Sequence, residues 1–342
     1  MKEFYENCVQ CPRKCGVNRN QNKTGFCREP ADLRIAFAGL HFGEEPLITV
    51  FGGSGTIFFT GCTLRCAFCQ NYQISQDGMG RAVTLEEFVQ ICQKLQDAGA
   101  ENINLVTGSH CIPFIAEGLK LARKAGVTIP FCWNSSAYEN VEMLELLKGL
   151  VTIWLPDLKT LNSDFSRTLF DAPDYPDVAK KAISWMIKNN PLKIEEKKWY
   201  EGAKSAEWAA DGENRDKMTS GVIIRHLFMP GHFEETAETL QWLKENADEK
   251  AIISLMNQYT PVKFDEDEAK LQHRKNALSK IENRLVNQQE FQDIQDLLEV
   301  YDFSYLFYQE LTDDTSWLPD FRKVQPFSNK LAKPLWHFNH NL

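Results

Sequence analysis

The stretch Gly61-Cys-Thr-Leu-Arg-Cys-Ala-Phe-Cys-Gln-Asn71 puts Cys62, Cys66 and Cys69 in one short loop, with three residues in the first gap and two in the second. Three thiols this close cannot all pair as disulfides, and they suit ligation of a metal or an iron–sulfur cluster. A cubane 4Fe–4S cluster has four irons, so three cysteine ligands leave one iron free for a substrate. The loop follows the apolar, β-rich run Gly55–Thr60, which reads as a strand.

Working outward, a strand-then-helix rhythm continues downstream. Candidate strands are Gly55–Thr60, Asn102–Thr107, Thr128–Trp133, Thr152–Pro156, Val222–Phe228 and Ala251–Asn257. Helical patterns lie between them at Leu85–Ala98, Ile112–Ala125, Val141–Leu147, Pro176–Ile187 and Glu234–Asn246, and Thr84 with Glu87 forms a capping-box pattern. Short apolar runs without alternation suit parallel strands covered on both faces, and six βα units imply an α/β barrel or partial barrel. Residues 189–220 break the rhythm. That polar insertion reads as a surface excursion, with a lid or partner-docking element near the active-site mouth as the sharper reading. Residues 261–342 read as a C-terminal helical and aromatic extension that wraps the barrel.

Upstream, residues 1–50 contain Cys8, Cys11, Cys15 and Cys27, flanked by glycine and proline suited to tight turns around an ion. A four-thiolate site for zinc or a second iron–sulfur cluster is expected there; thiolates suit both. Cys92, Cys111 and Cys132 read as buried structural thiols.

Composition bounds the alternatives. Of 342 residues, 43% are hydrophobic and 25% charged, which is ordinary for a globular protein. The net charge of −9 argues against a nucleic-acid footprint spread over the surface, and no apolar run is long enough for a membrane helix. Ten cysteines without a secretory signal core point to reduced thiols and a cytoplasmic setting.

The C-x3-C-x2-C spacing resembles the hallmark of the radical S-adenosylmethionine (SAM) superfamily. Phe68 before the third cysteine and Asn71 after it resemble the branch containing pyruvate formate-lyase activating enzyme and its uncharacterised homologues, as does the C-P-R-K-C-G-V-N-R string near the N-terminus. The resemblance implies an open (β/α)6 TIM-like barrel, residues 51–260. It also implies a 4Fe–4S cluster on Cys62, Cys66 and Cys69, reductive cleavage of SAM, and a 5′-deoxyadenosyl radical that abstracts hydrogen. A low-potential donor such as flavodoxin or ferredoxin would supply the electron.

In α/β barrels ligands gather at the C-terminal strand ends. The groups there are Gly108 and Ser109, where related enzymes carry a glycine-rich stretch ending in a glutamate that this chain lacks, then Asn134 and Ser135, then Asp157 and Lys159, and finally Arg225. The D-x-K and R-x4-P-G patterns are similar to those of the activating enzymes, which makes these residues, with Phe68 and Asn71, the expected SAM contacts. The substrate is expected to be a glycyl radical protein or peptide; a small metabolite, a peptide or RNA is the alternative within the superfamily. A non-catalytic zinc-binding protein is the alternative of another class, weakened because the loop offers only Gln70 and Asn71 as a fourth ligand.

Overall fold

The computed structural model describes residues 2–199, 212–264, 268–315, 317–328 and 331–340. Eleven strands are present among them: β1 (Arg34–His41), β2 (Ser54–Phe59), β3 (Arg81–Ala82), β4 (Ile103–Val106), β5 (Phe131–Ser135), β6 (Ile153–Pro156), β7 (Lys193–Lys197), β8 (Arg215–Leu227), β9 (Ile252–Met256), β10 (Leu306–Tyr308) and β11 (Ala332–His337). All six expected barrel strands form. They pair in parallel in the order β2-β4-β5-β6-β8-β9, and β10 adds a seventh parallel strand beyond β9. At the other edge β1 runs antiparallel to β2, and β11 antiparallel to β1. The two edges do not pair, so the barrel is open.

Each parallel strand is apolar because both of its faces are covered. Ile57, Phe59, Ile103, Leu105, Phe131, Trp133, Trp154, Val222, Ile224 and Ile253 face outward into a core shared with the crossover helices Leu85–Asp97, Ile112–Lys124, Tyr175–Asn189 and Phe233–Asn246. The first of these helices begins with the expected capping box: the Glu87 N–H donates to the Thr84 hydroxyl, and the Thr84 N–H to the Glu87 carboxylate. The C-terminal extension contributes the helix Gln288–Tyr301 and also strands at both sheet edges.

The inner face is filled from two sides. Below, the short helix Pro46–Thr49 places Ile48 among Cys132, Ile153, Leu155, Ile223 and Ile252. Toward β1 and β2, Phe321 and Phe327 of the C-terminal extension pack on Phe37, Phe58 and Val106, with ring centroids 5.6 and 5.5 Å from Phe58.

The described part of the insertion, residues 189–199 and 212–220, is placed differently from the sharper expectation. β7 pairs with the N-terminal half of β8 as an antiparallel arm, and Lys197 and Lys217 clamp buried Glu101 at 2.6 and 2.9 Å. Glu101 precedes β4, so the arm lies at the end of the barrel opposite the cysteine loop and is not a lid over the mouth. Tyr200 and Trp208 of the insertion lie outside the described residues, whereas Trp199 packs against Val50 and Phe51.

Candidate metal and SAM site

The cysteine loop leaves β2 through Gly61, whose φ of +73° favours glycine. A Cβ there would lie 2.2 Å from Glu29 Cγ and 2.9 Å from the Cys27 carbonyl oxygen. The N–H groups of Leu64 and Arg65 donate to Cys62 Sγ at 3.3 and 3.4 Å. Cys69 Sγ shares a hydrogen bond of 3.3 Å with the Ser75 hydroxyl. Burial pushes the Cys66 and Cys69 thiols up, and the charge of their neighbours in the loop adds to the rise. Lys159 opposes it at both sulfurs.

All three thiols are free. Among the described residues no three His, Cys, Asp or Glu side chains already converge as a bound ion would draw them. Donor chemistry makes the fit: three buried or half-buried thiols on one loop, two of them receiving hydrogen bonds, with a cation nearby that favours thiolate. Such a set suits a 4Fe–4S cluster.

Asp157 and Lys159 follow β6 and form an ion pair of 2.7 Å, each side chain about a fifth exposed at 24% and 19%. The Tyr175 hydroxyl fixes the turn, donating to the Asp157 carbonyl at 2.8 Å and accepting from the Lys159 N–H at 2.9 Å. Lys159 is held protonated by the Asp157 carboxylate, which outweighs the cost of its burial. Asn134 lies on the inner face of β5, in register with Leu155, and is half-buried. Cysteine loop, Asn134 and the Asp157–Lys159 pair thus share one end of the barrel.

Other expected contacts are disposed otherwise. Ser109 and Ser135 donate to Glu139 at 2.7 and 3.0 Å, and the Trp133 indole N–H donates to the same carboxylate at 2.7 Å. Both hydroxyl protons are therefore committed to a buried carboxyl, whose pKa burial pushes up. Glu139 itself was missed; its only signal was an acidic residue four positions after a strand-end serine. Gly108 lets the turn after β4 lie against Ile115 and Trp133, where a Cβ would meet Ile115 Cδ1 at 2.6 Å. Phe68 sits edge-on to Phe170 and Tyr259, and Asn71 begins the short helix Tyr72–Ser75.

Arg225 does face the barrel interior, but its guanidinium is turned to two carboxylates. Nε donates to Glu45 Oε1 at 2.8 Å, and Nη2 bonds both Glu44 and Glu45. Those carboxylates hold the guanidinium protonated against the cost of burial. His226, one residue on, faces the other way, bonding the Leu158 carbonyl and the Thr236 hydroxyl.

The N-terminal cysteines fold back onto the site. Cys8, Cys11 and Cys27 are buried and Cys15 half-buried. Burial pushes the Cys11 thiol up to about 12, and Cys27, Cys8 and Cys15 are near enough to add to it. Arg13 of this segment donates to the Thr63 carbonyl of the cysteine loop at 2.9 Å and to the Phe170 carbonyl at 2.7 Å. Buried Arg19 donates to the carbonyls of Pro30 and His110.

A cavity of about 380 Å³ lined by Thr128, Pro130, Glu195, Lys197 and Lys217 lies at the far end, beside the antiparallel arm. The strand-end groups around the cysteines carry the chemistry, so the site is placed there.

Residues 56–192 match the model of the Radical SAM superfamily. Over 268 residues the chain is 31% identical to an uncharacterised protein of Methanocaldococcus jannaschii, MJ0674, spanning 76% of this chain and 68% of the relative. The chain belongs to the radical SAM superfamily. Among solved structures it is similar to Streptococcus suis SuiB bound to S-adenosylmethionine, at 14% identity and a TM-score of 0.45, covering 73% of this chain and 48% of SuiB. It is also similar to the FeFe-hydrogenase maturase HydG of Carboxydothermus hydrogenoformans, at 14% identity and a TM-score of 0.41, covering 79% of this chain and 60% of HydG. The chain thus spans about half to three-fifths of the length of these two solved structures. Membership in the superfamily carries a 4Fe–4S cluster and SAM with it. No helix of the described residues is long and apolar enough to cross a membrane.

Proposed function

We propose that this radical SAM protein cleaves SAM reductively and uses the resulting 5′-deoxyadenosyl radical to take hydrogen from a substrate. The observation that carries this reading is the Cys62–Cys69 loop at the C-terminal end of the first parallel strand, with Lys159 close enough to favour the thiolate of Cys66. When bound, a 4Fe–4S cluster on these cysteines supplies the electron that breaks the carbon–sulfur bond. A reduced flavodoxin or ferredoxin is the proposed donor of that electron.

The chain's own residues hold and orient. Lys159 offers a cation to the methionyl carboxylate, and Asp157 and Asn134 offer oxygen and amide groups to ammonium or ribose. Phe68, Phe170 and Tyr259 form an apolar wall beside the loop that keeps water from a reactive radical. The N-terminal cysteines are proposed to hold zinc or a second iron–sulfur cluster, packed on the loop through Arg13.

Activation of a glycyl radical enzyme is the finer reading supported by the C-A-F-C-Q-N, D-L-K and R-x4-P-G patterns. Modification of a small metabolite is supported by a different observation: Phe321 and Phe327 cover the inner face near β1 and β2, narrowing access for a folded protein loop. Anaerobic reconstitution tests the general reaction. A brown 4Fe–4S chromophore and reductant-dependent 5′-deoxyadenosine are expected, and the Cys62/Cys66/Cys69→Ala triple variant should lose the 5′-deoxyadenosine together with the iron these three cysteines hold. Persistence of 5′-deoxyadenosine formation in that variant would place the chemistry elsewhere.

A further inference from the structure

The side chain of Arg13 crosses from the N-terminal cysteines to the cysteine loop. Its backbone lies between Cys11 and Cys15, in a turn closed by the Lys14 N–H, which donates to the Cys11 carbonyl at 3.1 Å. The guanidinium stacks on Phe26, 3.6 Å from the ring centroid, and directs its fork at three backbone carbonyls. Nε donates to Thr63 at 2.9 Å, Nη2 to Phe170 at 2.7 Å and Nη1 to Asp171. Phe170 and Asp171 end the helix Ser163–Phe170, where the last carbonyls have no partner within the helix. The adjoining Leu169 carbonyl accepts from the Ala67 N–H of the cysteine loop at 2.9 Å. That helix end therefore holds the loop twice, directly at Ala67 and through Arg13 at Thr63.

The Thr63 carbonyl and the Leu64 N–H belong to one peptide unit. A trans peptide is planar, and its C=O and N–H point opposite ways. Arg13 anchors the oxygen, and on the other side the Leu64 N–H donates to Cys62 Sγ at 3.3 Å. Arg13 thus fixes the plane of the peptide that serves Cys62, and the neighbouring Arg65 N–H reaches the same sulfur at 3.4 Å. Polarisation works in the same direction, because a cation on the carbonyl oxygen strengthens the N–H as a donor. Hydrogen bonds to cysteine sulfurs are among the factors that set the reduction potential of an iron–sulfur cluster. A donor at sulfur favours the reduced cluster, which carries the extra negative charge, and so raises that potential.

We propose that Arg13 is a positioning residue of the SAM-cleaving centre: by holding the Thr63–Leu64 peptide it keeps the Leu64 N–H on Cys62 and raises the potential at which a cluster on Cys62, Cys66 and Cys69 takes up its electron. The inference rests on the radical SAM reading and gives the C-P-R-K-C string a task beyond metal ligation. Lysine would not serve in its place. One ammonium lacks the planar fork that spans Thr63 and the helix end together, and it does not stack on Phe26 in the same way.

The test is an anaerobic redox titration of the reconstituted full chain, followed by electron paramagnetic resonance. The loop's signal is the one that changes on adding SAM, which separates it from any cluster on the N-terminal cysteines. In Arg13→Met this signal is expected at a lower midpoint potential. At a fixed potential the ratio of reduced to oxidised cluster should fall about three- to tenfold, as for the loss of one hydrogen bond. Arg13→Lys keeps the charge and should show the same downward shift. An unmoved midpoint in Arg13→Met, even with lower thermal stability, reduces Arg13 to a helix cap and overturns the proposal. Full recovery of the midpoint in Arg13→Lys also overturns it, by tracing the effect to charge alone. Should Arg13→Met bind no iron, the Arg13→Lys titration decides by itself. Absence of any SAM-responsive signal in the wild-type protein sinks the radical SAM reading, an outcome distinct from a responsive signal whose midpoint does not move.

Discussion

Gly61 and Glu29 are in such close contact that the cysteine loop and the N-terminal cysteine segment can meet only if residue 61 has no side chain. A Gly61→Ala variant must displace Glu29 and also adopt a left-handed backbone, a strain of about 1–3 kcal/mol. We expect it to fold but to retain less iron than wild type after reconstitution. Iron content per chain is the measurement, and wild-type loading would show that the contact does not set the loop.

Lys159 is predicted to matter for both stability and SAM. Lys159→Met strips the counter-ion from Asp157, a largely buried carboxylate, and should cost roughly 3 kcal/mol, the low end for breaking a buried pair. SAM affinity should fall along with it, because the cation nearest the cysteines is gone. Denaturant melts and equilibrium SAM binding check the two effects, and restoring either with Lys159→Arg would locate the role in charge.

Arg225 gives a prediction with a sign. Arg225 holds Glu45 below the usual carboxylate range, so the stability it confers is present above about pH 4.5 and is lost as pH falls through the lowered value. In Arg225→Met the two glutamates face each other uncompensated and their pKa values rise. That variant should be destabilised by about 3–5 kcal/mol near neutrality and recover as pH falls. The expected readout is a difference in melting temperature between wild type and variant that shrinks as pH falls from 7 to 5.

His110 supplies a second pH dependence. It is fully buried, with its pKa lowered to about 3 by burial and by Arg19. Its neutral form is favoured in the fold, so this contribution is complete above the ordinary value of 6.5 and is lost as pH falls from there toward 3. His110→Gln should flatten the stability profile in that window, as followed by circular dichroism melts.

The C-terminal extension is predicted to support the cysteine loop from a distance. Phe321 is fully buried, and its N–H donates to the Gln73 side chain at 2.7 Å, inside the short helix that carries Ser75. Phe321→Ala should cost about 3–5 kcal/mol, as for other buried aromatics. Faster loss of iron under chelator challenge should accompany it, whereas Gln73→Ala should reproduce the iron loss with a smaller stability cost.

The parallel strands were legible because burial on both faces makes each an uninterrupted apolar run, and the cysteine loop because thiol spacing is a local property. β7 was not legible: Lys193-Ile-Glu-Glu-Lys197 is charged and exposed, and only pairing to β8 makes it a strand. β10 has three half-buried residues, too few for a pattern, and β11 carries Lys333 and Pro334. Within the site, Asp157, Lys159 and Asn134 were readable as strand-end residues. The bonds of Ser109 and Ser135 to Glu139 were not readable, because Glu139 is brought to their hydroxyls only by folding. Glu44 and Glu45 lie before the barrel, so reading strand ends could not find them; the one trace was an adjacent acidic pair in the otherwise apolar Leu40–Val50.

The strands that close both flanks of the sheet, β10 and β11, come after all the others in the chain. On the ribosome, the body from β1 to β9 therefore emerges with two unpaired edges, and Phe37 and Phe58 are uncovered until Phe321 and Phe327 have left the exit tunnel. Unpaired edges and bare aromatics are the surfaces by which nascent chains associate wrongly. Slow translation between residues 257 and 306 would prolong that exposure, and yield of native protein should depend on how quickly the last strands are delivered.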